Sequence, residues 1–213
     1  MDVGLKNLIT KAEHGDVEAM VMVGDCYNRG FHTDKDDSKA QFYYKMAADN
    51  GHSAALFMVG LGYLNGTGVK KNMANAIKYI QAAADKGVAN AQYMMGALYQ
   101  AGEVGTFFKN RKATKYYKMA ATQGHADAQY ELGKIYLLEW GNGNTSRFDD
   151  GLFWMLCASL HTSEKSSKIS AKARSIIDNN IVQRGYPVEA VKQVMERIKR
   201  NYPKYIIDPT YDC

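Results

Sequence analysis

The chain has 213 residues, 46% hydrophobic and 23% charged, with a formal net charge of +5. That balance excludes a disordered chain, gives length enough for a substantial core, and holds no apolar run long enough for a signal peptide or membrane span. The positive excess sits mostly in residues 161–213, with ten Lys/Arg against six Asp/Glu, too thin a spread for the dense basic stripe of a nucleic-acid binder.

Gly15, Gly51, Gly87 and Gly124 each open a similar stretch, at intervals of 36, 36 and 37 residues. A fixed period in this range marks a solenoid, in which each unit is too small to bury its own apolar face. The expected fold is all-α, an α-solenoid of antiparallel helix pairs. In chain order, residues 1–14 form an N-terminal capping helix. Leu5, Leu8, Ile9 and Ala12 face the first unit, and Lys6, Asn7, Lys11 and Glu13 keep the other side polar.

Four units follow, at 15–50, 51–86, 87–123 and 124–161, each helix, loop, helix. In the first helices apolar residues recur four apart: Ala19, Val23, Tyr27; Ala55, Val59, Tyr63; Ala91, Met95, Tyr99; and Ala128, Leu132, Tyr136. This spacing buries one helical face. Each also carries an internal glycine, Gly24, Gly60, Gly96 or Gly133. Mid-helix glycine costs about 1 kcal/mol against alanine, so its recurrence implies close approach of a paired helix. The second helices align Ala40, Ala76 and Ala113; Tyr43, Tyr79 and Tyr116; and the pairs Ala47-Ala48, Ala83-Ala84 and Ala120-Ala121. Gly51, Gly87 and Gly124 end these helices, where a left-handed residue closes the last turn.

The fourth unit departs from the pattern. It has Glu139 where a glycine is expected, an enlarged loop over 140–150, and Gly151 and Trp154 in place of the aligned alanine and tyrosine. It reads as the terminus of the array, with a binding loop as the alternative. Beyond it, Ile169, Ala173, Ile176, Ile177 and Ile181 share one helical face, and Val188, Val191, Val194, Met195 and Ile198 another. Residues 162–201 are therefore a C-terminal capping pair, with Pro187 at a helix start and 202–213 as a tail.

The pattern A-x-x-x-L-G-x-x-Y-x-x-G, then K-A-x-x-Y-x-x-A-A-x-x-G, resembles the Sel-one-like repeat (SLR) family, relatives of tetratricopeptide repeats. The resemblance implies a right-handed superhelix serving as an adaptor, with no catalysis in the repeats. The family's aspartate before the second helix is matched by Asp36, but by Asn72 and Lys109 in the next two units, which implies weaker caps there. By analogy with the tetratricopeptide superhelix, the first helices line a concave groove. Their groove positions are Glu18, Asp25 and Arg29; Phe57, Leu61 and Leu64; Asn90, Tyr93 and Gln100; and Asp127, Tyr130, Lys134 and Leu137. Phe57, Tyr93 and Tyr130 make an aromatic ladder that reads equally as partner-binding surface and as packing between repeats.

The sequence supplies no motif for chemistry. His52 and His125 share one repeat position, and no metal-ligand spacing, nucleophile elbow or H-E-x-x-H occurs, so no metal, no cofactor and no catalytic residue is expected. Gly60 to Gly62 and Gly66 to Gly68 superficially resemble phosphate loops, but the strand such loops follow is missing and the repeat explains them. Cys26, Cys157 and Cys213 make an odd count with no pair in one repeat, pointing to a reducing, cytoplasmic compartment. The leading expectation is a noncatalytic adaptor for a protein or peptide, with neither nucleic acid nor membrane as partner. An immunity protein that blocks a toxin, and a glycan- or peptidoglycan-binding module, stand as alternatives.

Overall fold

The computed structural model describes residues 3–105, 109–141, 147–161, 167–184 and 188–201. Every regular element among the described residues is a helix: α1 (Val3–Glu13), α2 (Val17–Arg29), α3 (Asp37–Asp49), α4 (Ser53–Asn65), α5 (Met73–Asp85), α6 (Ala89–Ala101), α7 (Lys109–Ala121), α8 (Ala126–Gly141), α9 (Arg147–Ser159), α10 (Ser167–Arg184) and α11 (Val188–Asn201). They gather into two compact units that divide within α6, after Met95.

In the first unit each helix packs on the next, α1 on α2, α2 on α3, α3 on α4 and α4 on α5. Helix α1 buries Leu5 and Ala12 and leaves Lys6, Asn7, Lys11 and Glu13 exposed. The helix starts are set by side-chain caps. Asp16 accepts from the Ala19 N–H at 3.0 Å, Asp36 from Lys39 at 2.9 Å, and the His52 Nδ1 from Ala55 at 3.1 Å. Asn72 accepts from the Asn75 N–H at 3.0 Å. The weaker cap expected there is corrected by that geometry, since asparagine and aspartate cap about equally well, by about 1 kcal/mol over alanine. Gly51 and Gly87 stand at φ 87° and 90°, where a Cβ is strained, so the period counted on these glycines is a period of helix ends.

The internal glycines mark where paired helices touch. A Cβ on Gly60 would lie 2.6 Å from Ile80 Cγ1 and 3.1 Å from the Ile80 nitrogen; one on Gly24 would lie 2.6 Å from the Tyr44 ring. Tyr44 and Ile80, at most 1% exposed, therefore fill the notch. Tyr43 and Tyr79, one residue earlier, are half-buried and stack on Tyr27 and Tyr63 at 6.0 and 5.8 Å, with ring planes 11° and 12° apart. The aromatic column of the second helices is thus a seam within each pair, and the core column is its neighbour.

The second unit repeats the scheme. A Cβ on Gly96 would lie 2.6 Å from the Tyr117 ring, and one on Gly133 would lie 2.9 Å from Met155 Cγ. Tyr99 stacks on Tyr116 at 5.6 Å. Glu139, lacking the stop signal of a glycine, lets α8 run for 16 residues, against 13 in α2, α4 and α6. Gly151 takes the alanine position because Leu137 Cγ would lie 2.8 Å from its Cβ. Helix α9 is the centre of this unit, packed by α8, α10 and α11, and Phe148 and Gly151 to Ser159 are all buried. On α10, Ala173 and Ile177 are buried, Ile169 and Ile176 half-buried, and Ser170 Oγ donates to the Ala158 and His161 carbonyls at 3.1 and 2.6 Å. On α11, Val194 and Ile198 are buried, and the Arg197 guanidinium covers the Phe153 ring at 4.5 Å. The side chains of Trp140, Ile181, Val188, Val191 and Met195, the loop at 142–146, Pro187 and the tail at 202–213 lie outside the described residues.

Candidate functional site

A scaffold of stacked helices offers its helix faces as its chemistry, so the site is built from what packing leaves open. In the first unit, Phe57, Leu61 and Leu64 follow each other at i, i+4 and i+7 on α4, which puts them on one face. All three are half-buried, while Leu56 and Val59 beside them are buried in the core. On α6, Asn90 is exposed and Tyr93 half-buried. On α2, Glu18 and Arg29 are exposed, and Glu18 Oε1 lies 3.6 Å from His52 Nε2. Asp25 is turned to other work, accepting from the Tyr44 hydroxyl at 2.6 Å. Burial, then the Asp25 carboxylate beside it, holds the Tyr44 phenol well above its usual range.

In the second unit, Asp127, Tyr130, Lys134 and Leu137 follow one face of α8, and all are half-buried. The Lys134 ammonium lies 5.3 Å from the Tyr130 ring and 2.9 Å from a Glu131 oxygen. This brings two of the groove residues into contact and fixes a cation over the aromatic face. Leu137 packs against Gly151 of the paired helix, and exposed Gln100 accepts from the Tyr117 hydroxyl at 2.7 Å. Both therefore also serve the contact between paired helices.

The ladder residues Phe57, Tyr93 and Tyr130 are each half-buried. They are neither sealed like Ala55, Ala91 and Ala128, which have no exposed surface, nor free like a solvated side chain. Sequence reasoning missed other open apolar groups. Met22, Phe31, Phe42 and Leu138 are 53%, 60%, 60% and 65% exposed. For Phe42 a signal was present, because the aligned positions in the next two second helices hold Lys78 and Lys115.

The glycine pairs that resembled phosphate loops have structural partners. Gly62 faces the Gln41 side chain, and Gly68, at φ 71°, lies against the Asp37 carbonyl and Gln41. The loop after α4 thus packs on the preceding second helix, and Gln41 donates to the Met58 carbonyl at 3.3 Å. Among the described residues, no group of three His, Cys, Asp or Glu side chains is placed to hold a metal ion, and no helix is long and apolar enough to cross a membrane.

Comparison with known proteins agrees with this architecture. The Sel1 repeat family matches residues 17–52, 53–88, 89–125 and 126–162. No curated protein sequence is matched. Among solved structures, a Sel1 repeat protein from Oxalobacter formigenes is 25% identical over 88% of this chain and 72% of its own, with a TM-score of 0.65. The protective antigen c5321 of uropathogenic Escherichia coli, which displays an SLR fold, is 21% identical over 93% of this chain and 49% of its own, with a TM-score of 0.58. This second likeness is one of fold alone. Immunity protein Pa5087 from Pseudomonas aeruginosa covers 96% of this chain at 19% identity and a TM-score of 0.46, too loose a superposition to bear on a partner.

Proposed function

Because the chain belongs to the Sel1 repeat family, we propose that it is a noncatalytic scaffold that binds a protein or peptide through the first helices of its repeats. One observation carries this reading. At one register position three successive repeats hold an aromatic, Phe57, Tyr93 and Tyr130, and each is left half-buried. Half-open aromatics at a fixed spacing supply the rigid anchors on which protein recognition depends, rimmed here by Asn90, Asp127 and Lys134. Each unit presents its own patch, with Phe57, Leu61, Leu64 and Tyr93 in the first and Tyr130 with Lys134 in the second. Cys26 and Cys157 are buried free thiols, which supports a reducing, cytoplasmic compartment.

The test is capture of partners from the native source with the full chain, then with Phe57→Ala/Tyr93→Ala and with Tyr130→Ala. Loss of one prominent partner at unchanged helicity supports the reading. A partner retained by all variants, in titration with the purified protein, overturns it.

A further inference from the structure

The second helix of the third repeat is charged unlike its counterparts. Helix α3 carries Asp37, Lys39, Lys45 and Asp49, and α5 carries Lys78 and Asp85, so each is neutral overall. Helix α7 carries Lys109, Arg111, Lys112, Lys115 and Lys118 with no acid at all. The repeat register shows one of the exchanges behind this difference. In α3, Lys45 pairs with Asp49 at 3.0 Å, one turn on. The matching residues in the third repeat are Lys118 and Thr122, and the Thr122 hydroxyl donates to the Met119 carbonyl at 2.9 Å. The cation stayed and its acid went.

Arg111, Lys115 and Lys118 stand at i, i+4 and i+7, so they share one face of α7, and all three are exposed. None forms an ion pair with a described residue. Like charges at this spacing repel one another along the helix, a cost that packing of the array does not require.

Beside this stripe lies a cleft of about 510 Å³, lined among others by Arg111, Thr114, Ile135, Leu138, Glu139 and Arg147. Its charges are unequally matched. Arg147 already serves Glu139 at 3.1 Å and Asp150 at 3.5 Å, with its guanidinium 4.7 Å from the Tyr136 ring centre. Glu139 is therefore neutralised within the protein, and Arg111 is the cation left over. Its apolar wall is made by Ala113, Ile135, Leu138 and the Tyr136 ring that Arg147 covers, and Leu138 is 65% exposed. Such a cleft has the size of a pocket for a few side chains and combines an apolar seat with an unmatched positive rim.

We infer that this cleft and the α7 stripe bind an acidic peptide segment of a protein partner, one aliphatic side chain seated against Ile135 and Leu138 and its carboxylates ranged along Arg111, Lys115 and Lys118. A single-stranded nucleic acid would use the same cations, but it binds by stacking on open aromatic faces. Here the Tyr136 face is taken by Arg147 and the Tyr99 face by Lys112, 5.1 Å from its centre. The peptide is the better match. This surface belongs to a second helix and stands independently of the first-helix ladder.

The experiment is fluorescence anisotropy with the full chain and a short labelled peptide repeating Glu-Glu-Leu. Controls are a Lys-Lys-Leu peptide, a Glu-only peptide and single-stranded oligothymidine. The Glu-Glu-Leu peptide is expected to bind most tightly and to weaken with salt. Arg111→Glu/Lys115→Glu should lower its affinity by roughly tenfold or more at unchanged helicity. Arg111→Gln/Lys115→Gln should lower it less, and Leu138→Asp should remove the preference over the Glu-only peptide. Phe57→Ala/Tyr93→Ala should leave it unchanged, which separates this site from the ladder. Equal binding of the Lys-Lys-Leu peptide, tighter binding of oligothymidine, or an affinity untouched by Arg111→Glu/Lys115→Glu would overturn the inference.

Discussion

Gly60→Ala tests whether the mid-helix glycines are there for contact. In an exposed helix the change stabilises by about 1 kcal/mol, because alanine is the better helix former. Here the new Cβ would stand 2.6 Å from Ile80 Cγ1, 3.1 Å from the Ile80 nitrogen and 3.4 Å from the Ala76 carbonyl oxygen. The side-chain atom can rotate away, but the two backbone atoms belong to α5 and move only if the helix moves. Overpacking of this kind costs about 1–3 kcal/mol. The net expectation is a loss of up to about 2 kcal/mol, or up to roughly 8 °C in melting temperature for a chain of this size, followed by circular dichroism at 222 nm. A double-mutant cycle sharpens the cause. In an Ile80→Ala background the nearest obstacle is gone, so Gly60→Ala should cost less than in the native chain. A rise in melting temperature with Gly60→Ala alone, or strict additivity with Ile80→Ala, would refute the contact explanation.

The remaining predictions probe caps, thiols and buried amides. The Asp36 carboxyl is held below its usual range chiefly by the Lys39 backbone N–H, with the Lys39 ammonium adding to it. Its folded pKa is depressed, so its contribution is present above the unfolded value of about 4 and is lost as pH falls through the folded one. Asp36→Asn keeps the cap and should flatten the acid limb of thermal stability; a limb of unchanged slope rules this group out. Burial pushes the Cys157 thiol up to about 12 and the Cys26 thiol above its ordinary value. In a Cys213→Ser chain both should react slowly with Ellman's reagent when folded and at once in denaturant; fast reaction of the folded protein would contradict this burial. Fully buried Gln129 donates to the Ala121 carbonyl at 3.2 Å and lies 2.9 Å from the His161 Nε2. Gln129→Leu should lower stability by about 1–3 kcal/mol in a urea titration, whereas an unchanged midpoint would make these bonds dispensable.

The fold was readable because its causes are local and repeated. Glycine at a left-handed helix end, alanine and apolar residues four apart, and a glycine opposite a large side chain each recur at the period, so each repeat checks the others. The column that fills the notches stands one residue from the column that identity picks out. Tyr43, Tyr79 and Tyr116 align as cleanly as Tyr44, Ile80 and Tyr117, but only the second set fills the glycine notches. Identity favoured the column of three tyrosines, while packing needed only a large side chain. The histidines show the same limit. His52 and His125 were recognisable as repeat residues, but their use as N-caps depends on ring orientation, with Nδ1 accepting from Ala55 and Ala128 at 3.1 and 3.3 Å. The candidate face was legible as a set of positions on helices. The second duty of Gln100 and Leu137, each tied to the paired helix, depends on three-dimensional contacts that spacing does not carry.

In a chain of this kind, recurrence and departure carry different information. A residue that returns in every repeat has its explanation in packing, because packing is the one demand that every repeat shares. A residue that departs from the register without a packing reason is where a demand peculiar to one place is sought. Gly151 departs and is explained, since Leu137 fills the space an alanine methyl would need. Glu139 departs and is matched by Arg147 at 3.1 Å. Thr122 stands where the first two repeats have Asp49 and Asp85, and Arg111, in place of Ser38 and Ala74, forms no ion pair with a described residue. Arg111 is one of five basic residues on α7, which carries no acid and borders an open cleft. The overall charge count hid this, because it weighted the excess toward the C-terminal residues and averaged α7 with its neutral neighbours. Helix by helix, the third repeat is the one whose second helix carries five basic residues and no acid.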